Sequence, residues 1–220
     1  MASRTEQPWL DAATAAYIAD RTKPADEVLA ELRAETEAMG DVSRMQVSAD
    51  QGALLTLLTA VAGASFAVEV GTFTGYSSIC IARGLQPGGR LLCLDVSEEY
   101  TALARRAWAK AGLEDRIDLK IAPAIESLQA LPAEEHIDVA FIDADKPNYL
   151  NYFAELVPRL HRNGLIMVDN TLWSGLVVDP ATGDESTEAL KAFNDAIAAD
   201  DRVESYILPV SDGLTLIRKR

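Results

Sequence analysis

Five short apolar runs punctuate the middle of the chain. They are Phe66-Ala-Val-Glu-Val70, Leu91 to Leu94, Val139 to Ile142, Leu165 to Val168 and a weaker one, Ile117 to Ile121. Runs apolar on both faces belong to a parallel sheet covered by helices. Segments of helical length separate them, such as Glu98 to Lys110 and Tyr149 to Leu160. This alternation predicts an open α/β fold. The first forty or so residues read as helical, with Pro24 opening a helix whose apolar stripe is Val28, Leu29 and Leu32. Ser48 with Gln51 fits a capping box, so a third helix is expected near Asp50. Gly52 to Val68 carries no charge. Gly63 to Ser65 interrupts it, and Thr56 and Thr59 add polar positions, so it predicts a buried helix and then a buried strand, not a bilayer span. Near the end, Val203 to Leu208 and Leu214 to Ile217 are joined only by Pro209 to Gly213, which predicts an antiparallel pair. No repeat or linker divides the sequence. A single domain over 1–220 is expected, with a helical extension at 1–45.

Charge narrows the partners. The 220 residues hold 20 Lys and Arg against 34 Asp and Glu, for a net charge of −14. Such a surface repels phosphate backbones and anionic lipid, so nucleic acid and membrane are not expected partners. Cys80 and Cys93 sit inside apolar segments and read as reduced core thiols, and Met1 to Leu10 has no apolar signal core. A cytoplasmic location is the expectation.

The acids fall in a pattern. Glu69, Asp95, Asp143 and Asp169 each stand at the end of a strand. In open α/β sheets the ligand crevice lies at the strands' carboxyl ends. Four carboxylates in one crevice repel one another unless a cation joins them. His136 and His161 have no ligand partner at short spacing, so zinc is disfavoured. Carboxylates with the amide Asn170 make a hard oxygen set suited to magnesium, manganese or calcium. The turn Gly71-Thr-Phe-Thr-Gly75-Tyr-Ser77 follows the first strand, and Asp95 ends the next. That pairing suits a nucleoside whose ribose hydroxyls are held by the acid. The turn has no lysine and is not a P-loop.

These segments resemble the cation-dependent S-adenosylmethionine O-methyltransferases, the caffeoyl-CoA and catechol O-methyltransferase group. The match is carried by Met45-Gln-Val-Ser-Ala-Asp-Gln-Gly52, Val68 to Ser77, Phe141-Ile-Asp-Ala-Asp-Lys-Pro-Asn-Tyr-Leu-Asn-Tyr152, Val168-Asp-Asn-Thr-Leu-Trp-Ser-Gly175 and Leu208 to Leu214. The resemblance implies a Rossmann-like class I methyltransferase fold: a seven-stranded, mostly parallel sheet with an antiparallel last strand and helices on both faces. It implies S-adenosylmethionine beside Val47, Glu69, Gly71, Thr72, Ser77, Asp95, Ala124 and Asp143. It implies a divalent cation, magnesium before manganese or calcium, on Asp143, Asp169 and Asn170, with Lys146 as general base and Trp173 walling the substrate pocket. A homodimer and a small phenolic substrate are expected with it.

Phenols have a pKa near 10, so a cation at the oxygen and a nearby base both serve methylation at neutral pH. The segment Val177 to Ser186 is acidic, which favours a small catechol over a caffeoyl-CoA-type thioester. A non-catalytic S-adenosylmethionine-binding module is the other alternative. A short-chain oxidoreductase would need a Tyr-x-x-x-Lys pair, which none of the 6 tyrosines provides. A phosphatase using Asp143 or Asp145 would carry that motif after its first strand. Tyr149 and Tyr152 are expected to be packing residues.

Overall fold

The protein is described from a computed structural model, covering residues 11–22, 26–181 and 183–220. Pro24 and the segment Met1 to Leu10 lie outside the described residues. Two helices lead, α1 (Ala12–Arg21) and α2 (Glu27–Glu37). Asp26 caps α2 by accepting from the Leu29 amide. A 3-10 turn, Gly40–Met45, leads to α3 (Ala49–Val61). The Ser48 hydroxyl accepts from the Gln51 amide at its start, so one half of the capping box forms. The Gln51 side chain does not reach back to complete it.

Strands and helices then alternate: β1 (Phe66–Val70), α4 (Tyr76–Gly84), β2 (Arg90–Asp95), α5 (Glu98–Lys110), β3 (Ile117–Ile121), α6 (Ala124–Gln129), β4 (Ile137–Ile142), α7 (Tyr149–Arg159) and β5 (Leu160–Val168). After α8 (Glu185–Ala199) come β6 (Val203–Leu208) and β7 (Leu214–Lys219). The sheet has 7 strands in the order β3-β2-β1-β4-β5-β7-β6. β1 to β5 run parallel, while β7 enters antiparallel between β5 and β6. The short apolar runs and the terminal hairpin are therefore where the pattern puts them.

Two apolar layers cover the sheet. Tyr76, Ile79, Trp108, Phe141 and Met167 belong to one, and Val70, Ile142, Phe153, Leu156 and Phe193 to the other. Cys80 and Cys93 are free and buried, and burial pushes the Cys80 thiol up to about 12. The helix α3 departs from expectation: its inner face is buried, but Leu57 and Val61 are 59% and 77% exposed. An uncharged stretch can thus present one apolar face outward, which composition alone does not reveal. Among the described residues no helix is long and apolar enough to cross a membrane.

Candidate active site

A cavity of about 970 Å³ opens at the carboxyl ends of β1, β2 and β4. This is the crevice that the strand order creates, because the chain steps outward from β1 through β2 to β3 and then crosses back to β4 on the other side of β1. Val47, Gly71, Thr72, Ser77, Asp95, Ala124, Asp143, Lys146, Asn170 and Trp173 all line it.

One end is built by the turn after β1. Gly71 has φ +89°, and a Cβ there would stand 2.1 Å from the Asp143 carbonyl oxygen. Only glycine lets the first turn pass that close to the end of β4. Asp95 then organises the turn, accepting from the Thr72 and Phe73 amides at 2.8 and 2.9 Å and from the Ser97 amide at 2.8 Å. A carboxylate keeps further lone pairs after such bonds, so Asp95 can still accept from hydroxyls in the cavity.

The N-terminal segment forms part of the wall through contacts that no periodicity announces. Gln46 Nε2 donates to the Thr36 and Thr74 hydroxyls at 2.9 and 3.1 Å. Arg33 donates to the Val47 carbonyl oxygen at 3.0 Å and lies over the Tyr76 ring. Together these tie α2, Val47 and the glycine turn into one unit.

The other end carries the acid and amine chemistry. Lys146 is 8% exposed. Its ammonium donates to Asp143 Oδ1 at 3.2 Å, the Ala144 carbonyl at 3.0 Å, Asn170 Oδ1 at 2.8 Å and the Tyr149 hydroxyl at 2.6 Å. Tyr149 in turn donates to the Asp169 carbonyl at 3.1 Å. Asp169 stands just behind the wall. Burial, and then the Asp143 charge, push its carboxyl above the usual carboxylate range, while Gln51, Lys146 and the Asn170 amide oppose that rise. Asn170 has φ +60°, a left-handed conformation that asparagine tolerates, and it turns the chain directly after Asp169. Trp173 and Ser174 also have positive φ, and the Asp212 carboxylate holds the loop by accepting from the Ser174 amide. The Trp173 ring lies 5.7 Å from Lys146 Nζ.

A hard divalent cation fits this end on its donor chemistry. Asp143 and Asn170 already surround a cation, the Lys146 ammonium, with oxygen atoms. The buried Asp169 beside them lacks full charge compensation. Two carboxylates and an amide oxygen are the donors such an ion prefers.

Three expectations need correction. The four strand-end acids do not gather on one point, and no group of three or more His, Cys, Asp or Glu forms among the described residues. Asp95 accepts from the backbone amides of the glycine turn, apart from Asp143 and Asp169, whose charges act on one another. Glu69 lies beneath the cavity wall instead of in it. Its carboxyl is fully buried, with Oε2 accepting from Cys93 Sγ and Oε1 unpartnered. Burial raises it to about 8, while Ser77, Cys93 and Thr72 soften the rise. Tyr149 and Tyr152 do more than pack: the first hydroxyl holds Lys146 and the second donates to Asp145. Asp145 also accepts from the Asn148 side chain, so it is turned away from Lys146.

The site can now be set beside known proteins. The family model described as O-methyltransferase matches residues 19–220. A probable caffeoyl-CoA O-methyltransferase 2 of Dictyostelium discoideum is 38% identical over 207 residues, covering 92% of this chain and 90% of that one. Caffeoyl-CoA O-methyltransferase 2 of Zea mays is 41% identical over 203 residues, covering 88% and 76%. The crystal structure of an O-methyltransferase from Bacillus cereus in complex with SAH (S-adenosylhomocysteine) superposes with a TM-score of 0.86 at 33% identity, covering 94% and 97%. With this family model spanning almost all of the chain and the fold shared with a solved O-methyltransferase at 33% identity, the protein belongs to the O-methyltransferase family and is an O-methyltransferase.

Proposed function

We propose that the protein transfers the methyl group of S-adenosylmethionine to one hydroxyl of a small catechol, with a divalent cation as cofactor. The carrying observation is that one cavity joins two chemistries: the Gly71 turn with Asp95 at one end, and Asp143, Lys146 and Asn170 at the other, with Asp169 behind. The SAH held by the Bacillus cereus relative supports the choice of donor.

On this reading Asp95 accepts from the ribose hydroxyls, and Val47, Thr72, Ser77 and Ala124 border the rest of the nucleoside and its amino-acid tail. Glu69 acts from behind the wall through Thr72 and Ser77. Asp143, Asp169 and Asn170 would hold the cation, which supplies Lewis acidity to an acceptor hydroxyl. Lys146 takes the hydroxyl proton as general base once it is in its amine form. Tyr149 fixes the position of Nζ, and Trp173 walls the acceptor. Much of the acceleration comes from alignment, worth up to about 7–11 kcal/mol in favourable cases.

Lys146 is the single Lys, Arg or His side chain among the described residues that line the cavity. A polyanionic thioester finds no cluster of positive charge there, which supports a small neutral acceptor. The second reading, a caffeoyl-CoA-type thioester, is favoured by the names of the relatives at 38% and 41% identity. We also propose a homodimer, supported by the exposed Leu57 and Val61 on α3.

The test is methyl transfer from labelled S-adenosylmethionine to a panel of catechols, single phenols and a catechol thioester of CoA, with magnesium and with EDTA. Transfer to small vicinal diols that EDTA abolishes is expected. Equal transfer in EDTA refutes the cation, and preference for the thioester selects the second reading.

A further inference from the structure

The terminal hairpin reaches the cavity wall. Because β7 runs antiparallel beside β5, its first residues pair with the carboxyl end of β5, with Thr215 opposite Val168. The turn between β6 and β7, residues 209–213, is therefore set against the segment after Val168 that carries Asn170 and Trp173. Hydrogen bonds join the two. The Thr171 amide and hydroxyl both donate to the Gly213 carbonyl oxygen at 3.1 Å. The Leu172 amide donates to the Asp212 carbonyl oxygen at 3.0 Å, and the Ser174 amide donates to Asp212 Oδ1. The approach is close: Gly213 has φ +88°, and a Cβ there would stand 2.7 Å from the Leu172 amide nitrogen.

Trp173 thus sits between two residues that Asp212 holds. Its own backbone is unfavourable. Trp173, Ser174 and Gly175 have φ +49°, +54° and +82°, successive residues in the left-handed region. A residue with a Cβ enters that region at a cost, and an indole makes none of the local hydrogen bonds that ease asparagine into it. Such a conformation persists only where its surroundings over-determine it. Within the loop, the Trp173 amide donates to the Asn170 carbonyl oxygen at 3.2 Å, and the Gly175 amide to that of Leu172 at 2.9 Å. From outside, the Asp212 carboxylate meets the strained pair at the Ser174 amide, and a charged acceptor makes the stronger kind of bond. Trp173 lines the cavity, with its ring 5.7 Å from Lys146 Nζ, whereas Asp212 does not line it. Asp212 therefore acts on a bound molecule through the loop.

We propose that Asp212 is a positioning residue for the methyl acceptor: by holding Ser174 it locks Trp173 in the left-handed turn that presents the indole beside Lys146. The inference rests on the reading of Trp173 as the wall of the acceptor site. It gives the last hairpin of the sheet a part in acceptor recognition and leaves the nucleoside end, built on the Gly71 turn, independent of it. Misplacing a reactant by about 1 Å through a change remote from the chemistry can cost ~10²-fold.

The test compares Asp212→Ala, Asp212→Asn, Trp173→Ala and the double alanine variant. Methyl transfer to the parent catechol is measured with magnesium, and S-adenosylmethionine affinity by calorimetry. Asp212→Ala is expected to lower the acceptor kcat/KM by ~10–100-fold and to leave S-adenosylmethionine affinity within about twofold. Asp212→Asn keeps an oxygen for the Ser174 amide and should stay within about threefold of the unsubstituted protein. In the Trp173→Ala background, Asp212→Ala should cost less than about twofold, because its effect passes through the ring. A kcat/KM within about threefold in Asp212→Ala, with Trp173→Ala impaired, overturns the inference alone. So does an asparagine variant as impaired as the alanine one, or the full cost of Asp212→Ala in the Trp173→Ala background. A loss of S-adenosylmethionine affinity as large as the loss in kcat/KM also overturns it, because that marks a general structural role. If the unsubstituted protein does not methylate catechol, or Trp173→Ala leaves acceptor kinetics unchanged, the reading of the acceptor wall fails and this inference fails with it.

Discussion

The buried Glu69 makes the stability of the protein depend on pH with a definite sign. Its carboxyl is wholly enclosed, with one oxygen bonded to Cys93 Sγ and the other unpartnered, and burial raises it from 4.5 to about 8. Asp95 adds to the rise, while Ser77, Cys93 and Thr72 oppose it. Between those values the folded chain keeps a proton that the unfolded chain releases. Raising the pH therefore favours unfolding throughout that window, and the effect levels off once the folded carboxyl also ionises. One such proton is worth ~1.4 kcal/mol per pH unit. From about pH 5.5 to about 7.5 the loss through Glu69 alone is about 3 kcal/mol, or roughly 6–12 °C in Tm for a chain of this size. Glu69→Gln keeps the shape and an acceptor oxygen for Cys93 but cannot ionise. Urea unfolding of both proteins at the two pH values, with EDTA and without S-adenosylmethionine, isolates the carboxyl, because the two chains differ at that group alone. The variant is expected to lose about 3 kcal/mol less across the interval. An equal loss in the two proteins would refute the assignment of a buried, protonated Glu69.

Three further substitutions address the site. Lys146→Ala should cut methyl transfer by ~10²-fold or more while leaving S-adenosylmethionine affinity within about twofold, and unchanged turnover removes Lys146 from the chemistry. Asp169→Ala should erase the difference between magnesium and EDTA in the same transfer assay; a full magnesium stimulation in that variant rejects the ligand set. Thr74→Val removes an acceptor of Gln46 and a partner of Thr36. It should destabilise the fold by about 1–3 kcal/mol and expose the 40–48 segment to limited proteolysis, and an unchanged cleavage pattern counts against the tie between α2 and the cavity wall.

The sheet was legible because its chemistry is repetitive. Strands covered on both faces must be apolar throughout, and the order of runs and helical spacers follows from that requirement. Glycine was legible where sterics leave no choice, as at Gly71 against the Asp143 carbonyl oxygen. The acids were legible only as positions. A residue at the end of a strand is placed by the strand, but its side chain is claimed by whatever the next strand brings. Asp95 meets the amides of the Gly71 turn because β2 lies beside β1. Glu69 meets Cys93 for the same reason, being its register partner. Two residues of one acidic pattern thus end up rigidifying the turn and acting beneath the wall, and neither joins Asp143 and Asp169.

The same distinction explains Tyr149 and Tyr152. Helical periodicity places both rings in the core, and both are buried there. Their hydroxyls act at the tips, where one fixes Lys146 and the other holds Asp145 away from it. Separating these two neighbours decides the chemistry available at the end of β4. Asp145 would otherwise be free to pair with the Lys146 amine, the base of the proposed reaction. The short 3-10 turn Lys146–Asn148 sends Lys146 into the cavity, and Tyr152 is one helical turn further along α7 than Tyr149. The segment from Asp143 to Tyr152 is therefore a device for sorting charge: one carboxylate paired with the lysine in the cavity, the other tied off by Tyr152 and Asn148. Its residue types are plain in the sequence, but the sorting exists only once α7 packs against β4.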